Sequence, residues 1–218
     1  ADKFGHKTAA YYLKAINKNK KKLTSLFDAV QENNIDKIKI LKDFGADLNR
    51  RSPTGGGTAM HLAVMLNFET MIKRLATLGA NINKADDHGV VPIHIASEKK
   101  NVPLIKLLKS LGADINKADN DGVAPIHHAV IDQDFKMIKL LKKLGADIDQ
   151  GDNDGRTPLH LAVLKCHATK NNDLIQLMSD LGAGLKKESN DEITPLGMAT
   201  HLGNDAIKQL LNELIDKQ

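Results

Sequence analysis

A 33-residue period constrains the fold of this 218-residue chain more than any other feature of its sequence. Four tetrads that end in histidine follow this period, at His61, His94, His127 and His160. Glycines in Leu-Gly-Ala triplets repeat in step with them, at Gly79, Gly112 and Gly145. Self-similarity at a fixed spacing is typical of repeat arrays, in which each unit packs mainly against its two neighbours. The sequence therefore predicts a stack of similar units.

The period predicts six copies, with boundaries near residues 23–51, 52–84, 85–117, 118–150, 151–187 and 188–218. The fifth copy is longer, because four extra residues lie within Cys166–Asn172, and we expect a lengthened surface loop there that carries the thiol. The first copy lacks the tetrad and the last has Gly197 in place of its histidine, as expected of capping units that face water. Residues 1–22 are predicted to form a basic N-terminal helix or a partial repeat.

Each copy is predicted to contain two helices and a turn. Pro158 suits the first position of a helix, where its missing N–H has no partner in any case, and Thr157 before it is a side-chain N-cap. Apolar residues at three- and four-residue spacing within 104–111 indicate a second helix, which Gly112 ends with left-handed backbone. The link that follows, 114–122, is rich in Asp, Asn and Gly, which favour turns.

Three residues depart from this pattern. Val91 and Ala124 stand in place of the capping threonine in the third and fourth copies, which we expect to cost each helix about 1 kcal/mol. Glu192 stands where the other turns have glycine, so we expect a different turn in the last copy.

The 33-residue period, the Thr-Pro-Leu-His-like tetrads, the Leu-Gly-Ala-Asp-Ile-Asn segments and the Asp-Asn-Asp-Gly turns resemble the ankyrin repeat family. The resemblance covers nearly all of residues 23–218. It implies an all-α fold, an ankyrin-repeat solenoid of stacked helix-turn-helix units with β-turn fingers. It also implies a concave surface, built by the inner helices and the fingers, that binds other proteins.

Several residue patterns suggest chemistry, and each has a simpler explanation. The tetrad histidines are predicted to be buried groups that bond loop backbone between adjacent copies, because metal ligands must converge and these are periodic. Cys166 and His167 resemble a nucleophile pair without a third group to orient them. The glycines at 55–57 could suggest a phosphate loop, yet no Lys-Ser/Thr follows them, so a flexible fingertip is favoured. We therefore expect no cofactor, no metal and no small-molecule substrate.

The positive charge is concentrated at the start of the chain. The net charge is +4, and residues 1–22 carry seven lysines against one aspartate, which leaves −2 for the rest. Direct nucleic-acid binding is therefore not expected, although the lysines could contact nucleic acid, anionic lipid or a partner in a salt-sensitive way. No apolar stretch is long enough to cross a membrane. The single cysteine fits a reducing, cytoplasmic compartment, and we expect a monomer.

The resemblance places groove-facing residues two positions after each repeat alanine, and these are Met65, Glu98, Ile131 and Leu164. Neighbouring candidates are Asp132, Lys165 and the residues after each finger glycine, Val90, Val123 and Arg156. The fingers add acidic or polar tips at Asp87, His88, Asp121 and Asp154, while the second helices are rich in lysine. We expect an apolar strip flanked by carboxylates, which suits an apolar partner segment with basic flanks.

The sequence thus predicts a protein–protein interaction scaffold without catalytic activity. The alternative is a substrate-recruiting module of a larger enzyme, and because Ala1 is not an initiator Met we expect an excised or processed chain. Lysine- and asparagine-rich ankyrin proteins occur among effectors of intracellular bacteria, so the resemblance also admits delivery to a host cytosol.

Overall fold

The computed structural model describes residues 26–53 and 55–217, so residues 1–22 and their predicted helix or partial repeat lie outside it. The described residues form helices in pairs, with no β-strand among them. In chain order the helices are α1 Leu26–Gln31, α2 Ile35–Asp43, α3 Ala59–Met65, α4 Glu69–Thr77, α5 Pro92–Glu98, α6 Val102–Ser110, α7 Pro125–Ile131, α8 Phe135–Lys143, α9 Pro158–Thr169, α10 Asp173–Asp180, α11 Pro195–His201 and α12 Asp205–Ile215. Odd-numbered helices are called inner helices here, and even-numbered helices are called outer helices.

The inner helices pack closely on one another along the stack, and each packs on its own outer helix. One alanine in the middle of each inner helix is buried, and the set is Ala29, Ala63, Ala96, Ala129, Ala162 and Ala199. A methyl side chain lets two helix backbones approach closely, so this column of alanines sets the spacing between copies. The apolar core is therefore continuous along the described stack, and no single pair of helices could bury its apolar face alone.

The outer helices are amphipathic and end as the sequence predicts. In α8, Met137, Ile138 and Leu141 are buried, while Lys136 and Lys139 face water. Gly145 follows this helix with a φ of 96°. The N–H of Ala146 donates to Leu141 O at 2.9 Å and that of Gly145 donates to Lys142 O at 3.0 Å, which is a Schellman ending. The prediction that Gly112 ends α6 with left-handed backbone is confirmed by its φ of 93°.

The insertion in the fifth copy corrects the sequence prediction. Cys166 and His167 lie within α9, which is 12 residues long where the other inner helices have six or seven. Four residues make about one helical turn, so the insertion extends the helix without rotating its buried face. Cys166 is fully buried, and burial raises the pKa of its thiol, so the prediction of a surface thiol on a loop is wrong.

The last finger is also more regular than predicted. Glu192 adopts a φ of 61°, and the N–H of Ser189 donates to Ile193 O at 3.0 Å, as Asp119 N does to Val123 O at 3.1 Å. The prediction of a different turn is therefore wrong. A Cβ on Gly122 would overlap Asn153 of the next finger, whereas no further finger follows Glu192 within the described residues. A side chain is therefore tolerated at position 192, and its only cost is the free energy of placing a non-glycine residue in left-handed backbone.

Candidate functional site

Histidine side chains bond the N-termini of four inner helices to a backbone carbonyl further along the chain. In three of them this carbonyl belongs to the next copy, and for His127 it belongs to Gln150, the last residue of the same copy. The Nδ1 atom of His61 accepts from the N–H of Thr58 at 3.0 Å, and its Nε2 lies 3.0 Å from Val90 O. A carbonyl oxygen only accepts, so Nε2 carries the proton. The rings of the other three copies also accept from the N-cap N–H, and Nε2 of His94 and of His160 contacts the equivalent carbonyls, Val123 O at 3.2 Å and Ile193 O at 2.9 Å. Nε2 of His127 differs, since it contacts Gln150 O at 2.8 Å, before the finger.

These bonds need a neutral ring, because a proton on Nδ1 would face the N–H that it now accepts from. Burial lowers the pKa of all four histidines, and nearby carboxylates only partly oppose this effect. The prediction that the tetrad histidines are buried is confirmed, and the predicted bond to backbone of the adjacent copy is confirmed for His61, His94 and His160. His127 instead bonds Gln150 O, at the end of its own copy. They hold the fold together and are not available as catalytic groups.

A histidine ring holds the N-cap N–H in the third and fourth copies, where the capping threonine is missing. Thr58 makes no hydrogen bond to an N–H of its helix, and its hydroxyl lies 2.9 Å from Nδ1 of His61 instead. The N–H groups of Val91 and Ala124 are held by histidine in the same way as that of Thr58. The histidine bond, and not a threonine bond, is the one that these helices share, so we expect the missing threonines to cost less than the roughly 1 kcal/mol of an ordinary N-cap.

The fingers are tied to one another by an asparagine ladder that the sequence reasoning missed. The Asn120 side chain donates to Asp87 O at 3.0 Å, that of Asn153 donates to Asn120 O at 2.7 Å, and that of Asn190 donates to Asn153 O at 2.8 Å. Backbone bonds accompany the ladder, such as that from Asn120 N to His88 O at 3.0 Å. The 33-residue spacing of Asn120 and Asn153 was the available signal. The ladder makes the fingers one continuous edge beside the inner helices.

The acidic residues of the fingers have two separate roles. The first aspartate of each finger serves the turn, since Asp119 Oδ1 accepts from the N–H groups of Asp121 and Val123 at 2.9 Å each. The tips are more exposed and are partly neutralised, because Asp87 pairs with Arg51 at 3.3 Å and Asp154 pairs with Arg156 at 2.7 Å. In the described part of the chain, Asp121 has no ion pair.

The predicted groove residues share one face of the inner helices. Met65, Ile131 and Leu164 are 51%, 36% and 37% exposed, in a protein whose other large apolar side chains are mostly buried. Glu98 occupies the equivalent position in α5 and is also exposed. Lys165 is half-buried beside Leu164, and Asp132 follows α7, where it pairs with Lys100 at 3.2 Å. This row of residues is called the groove row below.

A second row lies beside the groove row and was missed. The residues three positions earlier on each helix are at least partly exposed, and they are Leu62, Ile95, His128, Leu161 and Met198. Residues three apart lie on the same helix face, so the helical spacing itself was the signal. His128 is the most exposed residue of this second row. Together the rows form a largely apolar surface about two side chains wide.

A shallow cavity opens in this surface at the start of the stack. It has a volume of about 330 Å³ and is lined by apolar groups of Phe27, Leu62 and Met65 and by the polar side chain of Gln31, among others. Val90 and Val123 are half-buried at the finger side, where their carbonyls accept from the tetrad histidines. Arg156, the equivalent residue in the fifth copy, turns its guanidinium to Asp152 and Asp154. The surface can hold apolar side chains of another polypeptide.

Arg51, beside the glycines at 55–57, is bonded to protein oxygens. Arg51 donates to Gly56 O at 3.3 Å and to Ala85 O at 3.0 Å and pairs with Asp87, so the nearest guanidinium is already engaged by protein oxygens. Within residues 26–53 and 55–217, no three His, Cys, Asp or Glu side chains are grouped as a metal site would need. None of the helices described is long and apolar enough to cross a membrane.

Paired helices and finger turns that repeat along the chain define a helical solenoid. The chain belongs to the ankyrin repeat family, whose model, described as ankyrin repeats (3 copies), matches residues 1–86, 26–119 and 93–169. A crystal structure of an ankyrin repeat domain from Acinetobacter baumannii has the same fold, with a TM-score of 0.68 and 24% identity, over 87% of this chain and 96% of that chain.

Two curated proteins are similar to shorter parts of the chain. Mouse protein phosphatase 1 regulatory subunit 27 is 34% identical over 70 residues, which are 32% of this chain and 45% of the relative. A putative ankyrin repeat protein of fowlpox virus is 38% identical over 74 residues, which are 34% of this chain and 22% of the relative. The chain therefore spans less than half the length of either relative. Ankyrin repeat domains typically bind proteins, and these relatives carry the names of a regulatory subunit and a repeat protein.

Proposed function

We propose that this chain is a protein-interaction scaffold without catalytic activity, which binds an apolar segment of a partner protein along the groove row. The observation that carries this proposal is the exposure of Met65, Ile131 and Leu164 at equivalent positions of α3, α7 and α9. Exposed apolar side chains that recur in register form a contiguous patch, and such patches mark interaction surfaces. The column of buried alanines beneath them fixes their spacing, so the surface is organised before a partner arrives.

The carboxylates around the groove favour a partner with basic residues on either side of its apolar segment. Asp121 at one finger and Glu98 within the groove have no ion pair in the described part of the chain. Asp87 and Asp154 form solvent-exposed ion pairs with arginines. Such pairs contribute little to stability, and their members exchange partners readily. Carboxylates at the rim would guide a basic segment during encounter, while the apolar rows would contribute most of the affinity.

A selection of random peptides displayed on phage tests the proposal. Peptides selected on the wild-type chain are then measured against the variant Ile131→Asp with Leu164→Asp, which places two charges in the groove row without altering any buried side chain. We expect binding to weaken by at least about tenfold, because each buried contact of this kind contributes on the order of 1 kcal/mol or more.

The matched control carries the same two aspartates outside the groove, as Phe44→Asp with Val102→Asp. Phe44 and Val102 are 55% and 36% exposed, and both lie at ends of outer helices. This control should keep wild-type affinity and, like the groove variant, should unfold near the wild-type temperature. If the selected peptides bind the groove variant as tightly as the wild type, the groove is not the binding surface and the proposal is wrong.

A second candidate is that the chain recruits or regulates an enzyme on a separate polypeptide. The similarity to protein phosphatase 1 regulatory subunit 27 is the observation that favours it. Titration of purified protein phosphatase 1 catalytic subunit with this chain would test it directly. A measurable affinity that the groove variant loses would support this role, and the absence of binding would leave the scaffold function with a different partner.

A further inference from the structure

The third copy interrupts the apolar character of the groove. Copies two, four and five carry a valine followed by Met65, Ile131 or Leu164, whereas the third copy carries Ser97 followed by Glu98. The valines at the position of Ser97 are fully buried, and Ser97 is only 6% exposed. Its hydroxyl has no hydrogen-bond partner among the described residues. An unpaired buried hydroxyl costs free energy, so copy three carries a polar group that the packing of the chain does not require.

Ser97 and Glu98 line a pocket between α5 and α7. Its volume is about 190 Å³, and its other polar lining groups are Lys100, His128, Asp132 and Asp134. Pockets for drug-sized molecules are larger, about 300 Å³ or more, so this one matches a single side chain better than a small-molecule ligand. It opens on the groove face, since Glu98 belongs to the groove row and His128 to the row beside it.

The pocket has an excess of negative charge. The Lys100 ammonium lies 3.2 Å from Asp132 and 3.7 Å from Asp134, so one cation faces two carboxylates. Glu98 adds a third carboxylate, which has no ion pair or hydrogen bond in the part of the chain that the structure describes. Asp134 is also held in place, since its Oδ1 accepts from Met137 N at 3.0 Å. The free groups are thus a carboxylate and a hydroxyl, which together accept hydrogen bonds from a cation.

We propose that this pocket binds the charged end of a lysine or arginine side chain of the partner segment that lies in the groove. The proposal rests on the proposed function and specifies it: the partner carries a basic residue between apolar residues, in register with copy three. Glu98 would supply the counter-charge and Ser97 an oxygen acceptor. Specificity follows because a partner with an apolar residue at that position would leave both polar groups unpaired.

Two parallel selections of random peptides test this inference, one on the wild type and one on Ser97→Val with Glu98→Leu. The variant gives copy three the residues found at the same positions in copy five, so it is expected to fold at least as stably as the wild type. Peptides selected on the wild type should be enriched in lysine or arginine at one position between apolar residues. Peptides selected on the variant should carry an apolar residue there.

A single selected peptide then gives the quantitative test. Replacing its basic residue with norleucine should weaken binding to the wild type by about 10- to 100-fold, as expected for hydrogen bonds to a charged group, and should change binding to the variant little. Arginine and lysine versions of the peptide distinguish the two cations. Glu69→Leu, which removes an exposed carboxylate from an outer helix, is the control and should leave both affinities unchanged.

The outcomes separate this inference from the function on which it rests. If norleucine peptides bind the wild type as tightly as basic ones, while Ile131→Asp with Leu164→Asp still abolishes binding, the cation pocket is wrong and the groove stands. If no selected peptide depends on Ile131 and Leu164, the proposed function is wrong and the pocket inference fails with it.

Discussion

The inner helices of copies two to five and that of copy six begin in different ways. In copies two, three and five a histidine ring accepts from the N-cap N–H and donates to a carbonyl of the next copy, as His94 does between Val91 and Val123. In copy four His127 accepts in the same way and donates to Gln150 O, at the end of its own copy. In copy six Gly197 replaces the ring, and Thr194 Oγ1 accepts from Gly197 N at 3.1 Å. One side chain therefore joins two copies in the first arrangement, and caps one helix in copy six.

The difference shows that the histidine combines two roles. It satisfies one of the free N–H groups near the start of the helix, which a threonine alone can also do. It also satisfies a carbonyl in the following link, which a threonine is too short to reach. Copy six has no following link within the described residues, so only the first role remains there. The neutral ring is thus a consequence of stacking, and its protonation state is coupled to the contact between copies.

The largest expected effect is a loss of stability in mild acid, because it involves four histidines together. Burial lowers their pKa in the folded state below the ordinary value near 6.5, so the unfolded chain binds more protons as the pH falls. The contribution of the neutral histidines to the free energy of unfolding is fully present above about pH 6.5. Below that pH it decreases by about 1.4 kcal/mol per pH unit for each proton taken up on unfolding. Urea unfolding between about pH 7.5 and pH 5.5 measures this, in a range above the carboxylate pKa values.

The pH dependence should become shallower when one ring is removed, as in His127→Ala. A free energy of unfolding that stays constant or increases from pH 7.5 to pH 5.5 would contradict the assignment of neutral rings.

The next effect in size is the stability lost when one ring is removed at neutral pH. His127→Ala leaves the N–H of Ala124 and the carbonyl of Gln150 without their present partners and opens a small void. Each unpaired buried group costs about 1–3 kcal/mol, so we expect a loss of about 2–4 kcal/mol in the free energy of unfolding. Urea denaturation at pH 7.5 measures it.

The neighbouring residue provides the matched control for this substitution. His128 is exposed and belongs to the groove, so His128→Ala should change the free energy of unfolding by less than about 0.5 kcal/mol. Equal losses for the two variants would mean that the two bonds made by His127 contribute little to stability.

The sequence predicted the features that repeat, and it failed where a neighbouring copy decides the outcome. The period, the helix pairs, Gly112 at a helix end and the buried histidines all follow from local patterns that recur. The lengthened α9 was missed because four residues within a loop and four residues within a helix give the same spacing in the sequence. Glu192 was misjudged because the other fingers need glycine partly to clear the next finger, which is a contact with a residue of the following copy.

The groove, too, could be predicted where its residues repeat from copy to copy, and could not be predicted where two copies meet. The positions of Met65, Ile131 and Leu164 could be assigned by register, since every copy repeats them. The pocket around Glu98 could not, because it joins side chains of α5 and α7 with Lys100 and Asp134 from the segments that follow them. Those groups come close only when two copies stack, so no pattern within one copy reveals them.

The smallest expected effect separates the two explanations of the missing threonines. On helix-capping scales, Ala124→Thr should stabilise α7 by about 1 kcal/mol. In this fold the N–H of Ala124 is already bonded to His127, and Thr58 shows that a hydroxyl at this position faces the same ring nitrogen. We therefore expect a change of less than about 0.5 kcal/mol in urea denaturation. Thr194→Ala is the counterpart, because Thr194 caps α11 without a ring, and it should cost about 1 kcal/mol. A gain of a full 1 kcal/mol at Ala124 would show that the threonine caps its helix directly, and that the histidine serves only the contact with the next copy.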